Sequence, residues 1–221
     1  MRQALIIGHS GGIGSAIFSA LEAKGVTVTG VSRRDDGLDV TDEASVAAHL
    51  GALEGPFDLI FNATGALEIG GAEPEKSLGA LNAKALSDQY LVNAVGPMLV
   101  LKHAVRLLPK DRPAVFASLS ARVGSIGDNR LGGWYSYRAA KAGLNQLMHG
   151  AAIELARTHK HLACVCLHPG TVRTAFTEKY LGRHPSVPAD EAAARLLAVI
   201  EGLTPALTGG FYDYAGKEIA W

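Results

Sequence analysis

Short apolar runs alternate with longer amphipathic stretches along the whole chain, and this alternation constrains the fold more than any other feature. Each run is bounded by Gly, Pro or Asp, which is typical of strands buried on both faces of a sheet. The predicted strands are Ala4–Ile7, Val26–Val31, Phe57–Phe61, Ala114–Leu119, Leu162–Leu167 and Phe211–Tyr214. The predicted helices cover about 12–24, 42–51, 85–108, 134–158 and 189–203. Strand–helix alternation requires crossover connections, so we expect a doubly wound α/β fold with helices on both faces of a parallel sheet.

Composition excludes several classes of protein. The 221 residues carry 21 basic and 21 acidic side chains, so the basic excess expected of a protein that binds nucleic acid or anionic membranes is missing. Hydrophobic residues make up 48% of the chain and charged residues 19%, which excludes disorder. The two cysteines, Cys164 and Cys166, share one predicted strand and are badly placed to bridge each other. The histidines show no zinc-ligand spacing, so we expect no metal site.

No segment of the sequence has the pattern of a targeting or membrane-spanning element. The amino-terminal stretch reaches Gly8 before a signal-peptide core develops, and no apolar run approaches the roughly 18 residues of a membrane helix. No repeat or linker interrupts the pattern, and the main loops fall near Ala66–Pro74 and Thr174–Pro188. We therefore expect a cytoplasmic protein with a single domain over residues 1–221.

A glycine-rich turn joins the first predicted strand to the first predicted helix. Gly8, Gly12 and Gly14 give the G-x-x-x-G-x-G spacing within the sequence Gly-His-Ser-Gly-Gly-Ile-Gly. Glycine there permits a tight turn and close approach of backbone amides to a pyrophosphate, and the following helix offers its positive end. The turn predicts dinucleotide binding, although glycine-rich turns also occur without ligands. A P-loop ATPase is disfavoured because no Lys-Ser or Lys-Thr pair ends the loop.

The end of the second predicted strand indicates which dinucleotide is bound. Ser32-Arg33-Arg34 stands where a Rossmann-type fold meets the adenosine ribose. An acid there favours NAD(H), whereas an arginine pairs with the 2′-phosphate of NADP(H), and Ser32 adds a hydroxyl donor. Asp35 and Asp36 follow directly, so the sequence favours NADP(H) and leaves NAD(H) open. The alternative is a pair of solvated strand-end arginines.

Six motifs in sequence order resemble those of the short-chain dehydrogenase/reductase family. They are the Gly8–Gly14 loop, Asp39-Val40, Asn62-Ala63-Thr64-Gly65, Asn93, Tyr137-x-x-x-Lys141 and Pro169-Gly170-Thr171-Val172-Arg173-Thr174. The stretches 120–126 and 210–221 resemble a narrower branch, the C-factor-like and sniffer-like carbonyl reductases. The resemblance implies a Rossmann fold with a mostly parallel seven-stranded sheet. It also implies a cofactor half over about 1–110 and a catalytic and substrate half over about 111–221.

The resemblance further implies a role for each motif. Asp39 would meet the adenine edge, and the loop that begins at Pro169 would lie over the nicotinamide. Asn93 would steady a bend in its helix and a water that links Lys141 to solvent, with a locally bonded helix amide as the alternative. The cofactor-binding residues expected in this way are Gly8, Ser10, Gly11, Gly12, Ile13, Gly14, Ser32, Arg33, Asp39, Val40, Asn62, Ala63, Thr64, Gly65, Tyr137, Lys141, Pro169, Gly170, Val172 and Thr174.

Tyr137 and Lys141 are four residues apart and therefore share one face of a predicted helix. A free phenol has a pKa of about 10, which is too high for efficient proton exchange near neutrality. A nearby ammonium group and an oxidised nicotinamide would lower that pKa. We therefore expect Tyr137 to be the acid–base group and Lys141 to assist it. The alternative for Tyr137 is a buried aromatic ring with a satisfied hydroxyl.

The hydroxyl that polarises the substrate carbonyl is harder to place. The family pattern is Ser-Ser-x-x-Gly with the second serine active, and counting back from Gly124 puts Ala121 at that position. Ser120 stands just before it. We expect Ser120 to supply the hydroxyl, and Ser125 in the following loop is the alternative.

These residues favour an NADP(H)-dependent oxidoreductase that transfers hydride between nicotinamide and the carbonyl or alcohol of a small molecule. One alternative is a dinucleotide-binding sensor or signalling protein with little turnover, which the departures at Ala63 and Ala121 favour. Another is epimerase or dehydratase chemistry, for which the segment Thr174–Pro188 leaves little room. The resemblance also implies a homodimer or homotetramer that associates through the long helices.

Overall fold

The apolar runs form a six-stranded parallel sheet in the computed structural model, which describes residues 1–181 and 185–221. Its strands are β1 (Gln3–Ile7), β2 (Thr27–Val31), β3 (Leu59–Asn62), β4 (Ala114–Leu119), β5 (Leu162–His168) and β6 (Phe211–Asp213). They lie in the order β2-β1-β3-β4-β5-β6, and every pair is parallel. The strand order reverses direction between β1 and β3, and ligands of open α/β sheets bind outside the carboxyl ends of the strands at such a point.

Helices cover both faces of the sheet, so the doubly wound α/β prediction is confirmed. The helices are α1 (Gly12–Ala23), α2 (Arg33–Asp36), α3 (Glu43–Gly51), α4 (Ala83–Tyr90), α5 (Gly96–Ala104), α6 (Tyr135–Leu155) and α7 (Ala189–Glu201). α1 and α7 pack on one face through Ile17 and Leu196, against strand residues such as Phe61. α3, α5 and α6 pack on the other face, where Phe116 is fully buried.

The helix predicted over 85–108 is divided in the structure. A π-helical segment, Leu91–Val95, joins α4 to α5, and a 3₁₀ turn, Val105–Leu107, follows α5. π-helical turns inside helices are frequent at functional sites, and this one contains Asn93. None of the helices in the described ranges is both long enough and apolar enough to cross a membrane. The predicted loop 174–188 includes residues 182–184, which lie outside the described residues.

The expected count of seven strands is wrong, since the described residues form six. The missing strand would lie between α2 and α3. Gly37 is left-handed there, with φ +80, and the N–H of Leu38 donates to the carbonyl of Ser32 at 3.2 Å. The chain therefore folds back onto the end of β2 and does not extend beside it. Only Leu38 is buried in this stretch, and one buried side chain does not require a strand.

Candidate active site

The glycine-rich turn is a tight loop between β1 and α1. Gly8 has φ +83, and a Cβ on it would lie 3.2 Å from the carbonyl carbon of Ala63. A Cβ on Gly14 would lie 2.2 Å from the carbonyl oxygen of Gly8, which is closer than any real Cβ contact. Both glycines are therefore required by the path of the backbone, independently of any ligand.

The N-terminal end of α1 is open to an anion. The amides of Gly12, Ile13 and Gly14 belong to its first turn and have no acceptor inside the helix. The N-cap residue is Gly11, which has no side chain to cap them. A Cβ on Gly12 would lie 2.4 Å from Cγ2 of Thr174, so the loop after β5 closes directly over this helix end. Free amides and a positive helix end together fit a pyrophosphate.

The turn after β2 presents one unpaired arginine. Ser32 caps α2 by accepting a hydrogen bond from the amide of Asp35 at 3.2 Å. Arg34 pairs with Asp35 at 3.1 Å. Arg33 is exposed and forms no ion pair with any residue in the described ranges. A guanidinium group with no carboxylate partner is available for a phosphate.

His9 lies within the Gly8–Gly14 loop, here called the phosphate loop, and links it to this turn; it was not among the predicted site residues. Its Nε2 lies 3.4 Å from Oδ2 of Asp36, which also accepts the backbone N–H of Ser32 at 2.7 Å. The hydrogen bond from Ser32 lowers the pKa of the Asp36 carboxyl. A Cβ on Gly30 would lie 2.6 Å from the His9 ring. A glycine inside a strand indicates close approach of another group. Gly30 in β2 is therefore the sequence feature from which the contact with His9 could have been predicted.

Asp39 and Val40 occupy the connection from α2 to α3. Oδ1 of Asp39 accepts hydrogen bonds from the hydroxyl and the amide of Thr41, at 2.7 and 2.8 Å. These bonds lower the pKa of the Asp39 carboxyl, the hydroxyl contributing most. Val40 contacts the start of α5, because a Cβ on Gly96 would lie 3.0 Å from its Cγ2.

The turn after β3 is held by a fully buried asparagine. Nδ2 of Asn62 donates to Oγ of Ser118 at 3.1 Å, and Oδ1 accepts the hydroxyl of Thr64 at 2.8 Å. The amide of Ala63 donates to the carbonyl of Ile7 at 2.8 Å and so continues the β1–β3 ladder. This turn therefore lies beside the phosphate loop, with Asn62 in a structural position.

Asn93 fixes the loop that follows this turn. Its amide accepts the N–H of Ala66 at 3.1 Å and donates to the carbonyl of Ala66 at 2.8 Å. Nδ2 also donates to Oε1 of Gln89 at 2.7 Å, and Gln89 donates to the carbonyl of Leu67 at 2.8 Å. The π-helical turn thus directs Asn93 toward the loop at Ala66, and a further bond joins it to Gln89 on its own helix.

Tyr137 and Lys141 lie together on α6, and both are almost fully buried. Nζ of Lys141 donates to the carbonyl of Leu119 at the end of β4, at 3.0 Å, and lies 5.7 Å from the centre of the Tyr137 ring. A Cβ on Gly65 would lie 3.5 Å from the same Nζ and 2.9 Å from Oδ1 of Asn93. The turn after β3, the π-helical segment and α6 therefore meet around the Lys141 ammonium group.

Burial shifts both pKa values toward the neutral forms. It lowers the pKa of Lys141 to about 8 and raises the pKa of Tyr137 well above its ordinary value. The expected lowering of the Tyr137 pKa is therefore not produced by the protein alone. The physical reason is that removal from water disfavours the phenolate, which is the charged form of the side chain.

Both candidate serines already donate their protons within the protein. Oγ of Ser120 donates to Oδ1 of Asn145 on α6 at 2.6 Å. Oγ of Ser125 donates to the carbonyl of Ala220 and lies in a buried loop contact. Nδ2 of Asn145 is buried and has no hydrogen-bond partner within the described ranges. Ala121 stands between them, half-buried, just beyond β4.

The loop that begins at Pro169 crosses the site from β5. Gly170 has φ +78, and a Cβ on it would lie 3.0 Å from the Tyr214 ring. Val172 is buried and pairs with Val187, which returns the loop toward α7. Thr174 is the residue that reaches Gly12.

Comparison with known proteins identifies this arrangement. A family model for short chain dehydrogenase matches residues 2–183. The chain belongs to the short-chain dehydrogenase/reductase family. It is 33% identical over 91% of its length to 1-hydroxy-2-glutathionyl-2-methyl-3-butene dehydrogenase of Rhodococcus sp. (strain AD45), of which 83% is covered. It is 31% identical over 76% of its length to C-signal of Myxococcus xanthus, of which 94% is covered. The structure of NADPH-bound carbonyl reductase from chicken fatty liver covers the whole chain with a TM-score of 0.83 and 25% identity, over 99% of that structure.

Membership confirms the family resemblance and identifies an NAD(P)-dependent oxidoreductase. Aromatic side chains lie around Tyr137 in this site. Its ring centre lies 6.2 Å from that of Trp134 and 6.4 Å from that of Phe176. Tyr180 lies 5.4 Å from Trp134 and donates its hydroxyl to Glu68 at 3.0 Å. The segment after β5 and the loop after β3 are joined by this bond.

The phosphate loop of this oxidoreductase generates a first prediction. In Gly14→Ala the new Cβ meets the backbone of Gly8, and neither backbone can move without opening the loop. We expect the variant to lose NADPH binding by at least about tenfold, because a loop displaced by about 1 Å no longer presents its amides correctly. Isothermal titration with NADPH measures the loss.

Gly51→Ala is the matched control, since a Cβ on Gly51 meets no atom within 4 Å in the described structure. We expect it to bind NADPH as the unmodified protein does and to be at least as stable. Unchanged binding in Gly14→Ala would contradict the assignment of this loop.

Proposed function

We propose that the chain is an NADP(H)-dependent reductase of small-molecule carbonyl compounds, with Tyr137 as the proton donor. The observation that carries the proposal is the buried pair on α6, in which Lys141 is held by the carbonyl of Leu119 and lies beside the Tyr137 ring. No hydrogen bond joins the hydroxyl of Tyr137 to another group in the described ranges. A free phenolic hydroxyl beside a buried ammonium group is suited to proton transfer to a bound oxygen atom.

NADP(H) fits the residues at the carboxyl edge of the sheet. The uncapped amides of Gly12, Ile13 and Gly14 fit the pyrophosphate, and the unpaired, exposed Arg33 fits a 2′-phosphate. Asp39, Val40 and the turn 62–65 would flank the adenosine, and the loop 169–174 would flank the nicotinamide. That the chicken carbonyl reductase is NADPH-bound supports the same cofactor here. When bound, the cofactor supplies or accepts the hydride.

Burial sets the protonation states of Tyr137 and Lys141 at neutral pH. Because burial raises the pKa of Tyr137, its hydroxyl keeps its proton throughout the neutral range. Because burial lowers the pKa of Lys141 only to about 8, the ammonium group is still charged at pH 7. A protonated phenol is the form that donates to the oxygen of a carbonyl as hydride reaches its carbon.

Signalling is a second candidate, favoured by one relative. C-signal of Myxococcus xanthus is matched over 94% of its length, and Ala63 and Ala121 depart from the family pattern. A protein that binds NADPH and turns over no substrate would fit this role. The intact pair of Tyr137 and Lys141 favours the reductase.

We also expect the chain to associate through α4, α5 and α6. Leu147 and Ile153 are exposed on α6, and Leu91 is exposed at the π-helical turn. Apolar side chains on neighbouring helices favour contact with a second copy, which supports a homodimer or homotetramer.

The proposed function is tested by NADPH oxidation with a panel of aldehydes, ketones and quinones. We expect turnover with NADPH, slower turnover with NADH, and a loss of about 100-fold or more in Tyr137→Phe, because the phenyl ring cannot donate a proton. NADPH affinity should be retained in the variant. NADPH binding without turnover on any substrate would favour signalling, and no binding of either nucleotide would overturn the proposal.

Replacement of the candidate serine should have a smaller effect. The Ser120 hydroxyl already donates to Asn145, so we expect Ser120→Ala to lower kcat/KM by no more than about tenfold, roughly the contribution of one hydrogen bond. The free energy of unfolding should fall by about 1–3 kcal/mol, because the Asn145 amide loses its partner. A kinetic loss as large as that in Tyr137→Phe would instead make Ser120 essential to carbonyl binding.

The pH dependence of reduction should report Lys141. The folded pKa of Lys141 lies below its ordinary value, so its charge is present below about pH 8 and is lost above it. We expect kcat/KM for carbonyl reduction to fall as the pH rises past about 8. Burial lowers the pKa of His168 to about 4 and raises the pKa of Cys166, so neither titrates in this range. A pH–rate profile checks this, and a profile that stays flat well above the Lys141 pKa would contradict it.

A further inference from the structure

α6 begins without the usual capping residue, although it carries Tyr137. The three residues before it, Gly132, Gly133 and Trp134, are all left-handed, with φ of +62, +65 and +52. Trp134 is the sole non-glycine with positive φ in the described ranges. It stands at the N-cap, where its side chain makes no capping hydrogen bond, and an indole has no acceptor for the free amides of the first turn. The conformation must therefore be held from outside the helix.

Glu75, which precedes Ser136 by 61 residues in the sequence, holds the start of α6 in this conformation. The carbonyl of Glu75 accepts the N–H of Trp134. One carboxylate oxygen, Oε2, accepts the N–H of Ser136 at 3.1 Å, and Oε1 accepts the Ser136 hydroxyl. Backbone and side chain of one residue thus bind both sides of the helix start, immediately before Tyr137.

The carboxylate of Glu75 is in a site built for its charged form. The residue is 6% exposed, and no lysine or arginine pairs with it among the described residues. Burial opposes its charge, but the hydrogen bonds from Ser136 and from the backbone of Glu75 itself together outweigh that effect, so the pKa of Glu75 lies below its ordinary value. The positive end of α6 stabilises an anion at this position. The charged carboxylate therefore serves as the acceptor for the first turn of α6.

We propose that Glu75 is a positioning residue for the reaction, an external N-cap that fixes the first turn of α6 and through it the hydroxyl of Tyr137. The inference rests on the proposed function, because it takes Tyr137 to be the proton donor. Trp134 contributes an aromatic contact to Tyr137, so the same hydrogen bonds also set one wall of the substrate space. A displaced helix start would move the proton donor and this wall together.

The variants that test this are Glu75→Ala and Glu75→Gln. Alanine removes both side-chain hydrogen bonds. The amide of the glutamine variant can still accept the N–H of Ser136 through its carbonyl while its NH₂ group donates to the serine hydroxyl. We expect Glu75→Ala to lower kcat by about tenfold or more, because small misplacement of a reacting group is costly. Glu75→Gln should restore most of that loss, and the Kd for NADPH should be unchanged in both. Glu54→Gln is the matched control, since Glu54 is an exposed loop residue.

A fluorescence measurement tests whether Glu75 holds the start of α6, and it does not require enzyme activity. The chain has two tryptophans, so Trp221→Phe leaves Trp134 as the sole reporter. In that background we expect Glu75→Ala to increase acrylamide quenching and red-shift the emission, while Glu75→Gln and Glu54→Gln do not. If Glu75→Ala does not fold, Ser136→Ala, which removes only the hydroxyl bond, should show the same changes at smaller size.

The outcomes separate this inference from the proposed function. If Trp134 fluorescence changes in Glu75→Ala but the protein reduces no carbonyl, the external N-cap is supported and only the proposed function is overturned. An unchanged kcat in a folded Glu75→Ala protein overturns the positioning role. Equal losses in Glu75→Ala and Glu75→Gln also overturn it, because the hydrogen bonds that glutamine retains would then not be what positions Tyr137.

Discussion

The parallel register of the central strands is the constraint on which the rest of the site depends. Ile7 pairs with Asn62, Asn62 with Ser118, and Ser118 with Cys166, so these residues form one row across β1, β3, β4 and β5. The residues just beyond that row form the phosphate loop, the turn after β3, and the segment containing Ser120. A slip of one residue in any strand would turn its side chains to the opposite face. Backbone hydrogen bonds in the core therefore set the geometry of groups at the surface of the crevice.

Burial then decides the chemistry of those groups. The carbonyl of Leu119 that ends β4 is the one that holds Lys141, so the ammonium group can be buried with a hydrogen-bond acceptor. The same burial raises the pKa of Tyr137 and lowers that of Lys141. These shifts oppose phenolate formation, yet they keep the phenol protonated and the lysine close to its titration point at neutral pH. Burial therefore sets the protonation state in which each group would meet a bound substrate.

The sequence predicted what depends on local pattern and missed what depends on contacts between distant segments. Apolar runs located all six strands, and the glycine spacing located the loop whose packing requires Gly8 and Gly14. The strand count was wrong because Gly37 turns the chain back toward Ser32. The apolar residues Leu38 and Val40 do not by themselves predict this turn. The partner of Ser120 lies 25 residues away on α6, and no spacing rule links a strand-end serine to Asn145. The roles of the site residues themselves stay predictions.

Two loops that follow different strands lie beside Tyr137, namely the segment after β5 and the loop after β3. The segment after β5 contacts the phosphate loop through Thr174 and the loop after β3 through the bond from Tyr180 to Glu68. Lys179 also pairs with Glu68, at 2.8 Å. Because these bonds join two loops that follow different strands of the sheet, a change in either loop alters the position of the other. The sheet therefore fixes the residues at its carboxyl edge, whereas the positions of these two loops depend on each other.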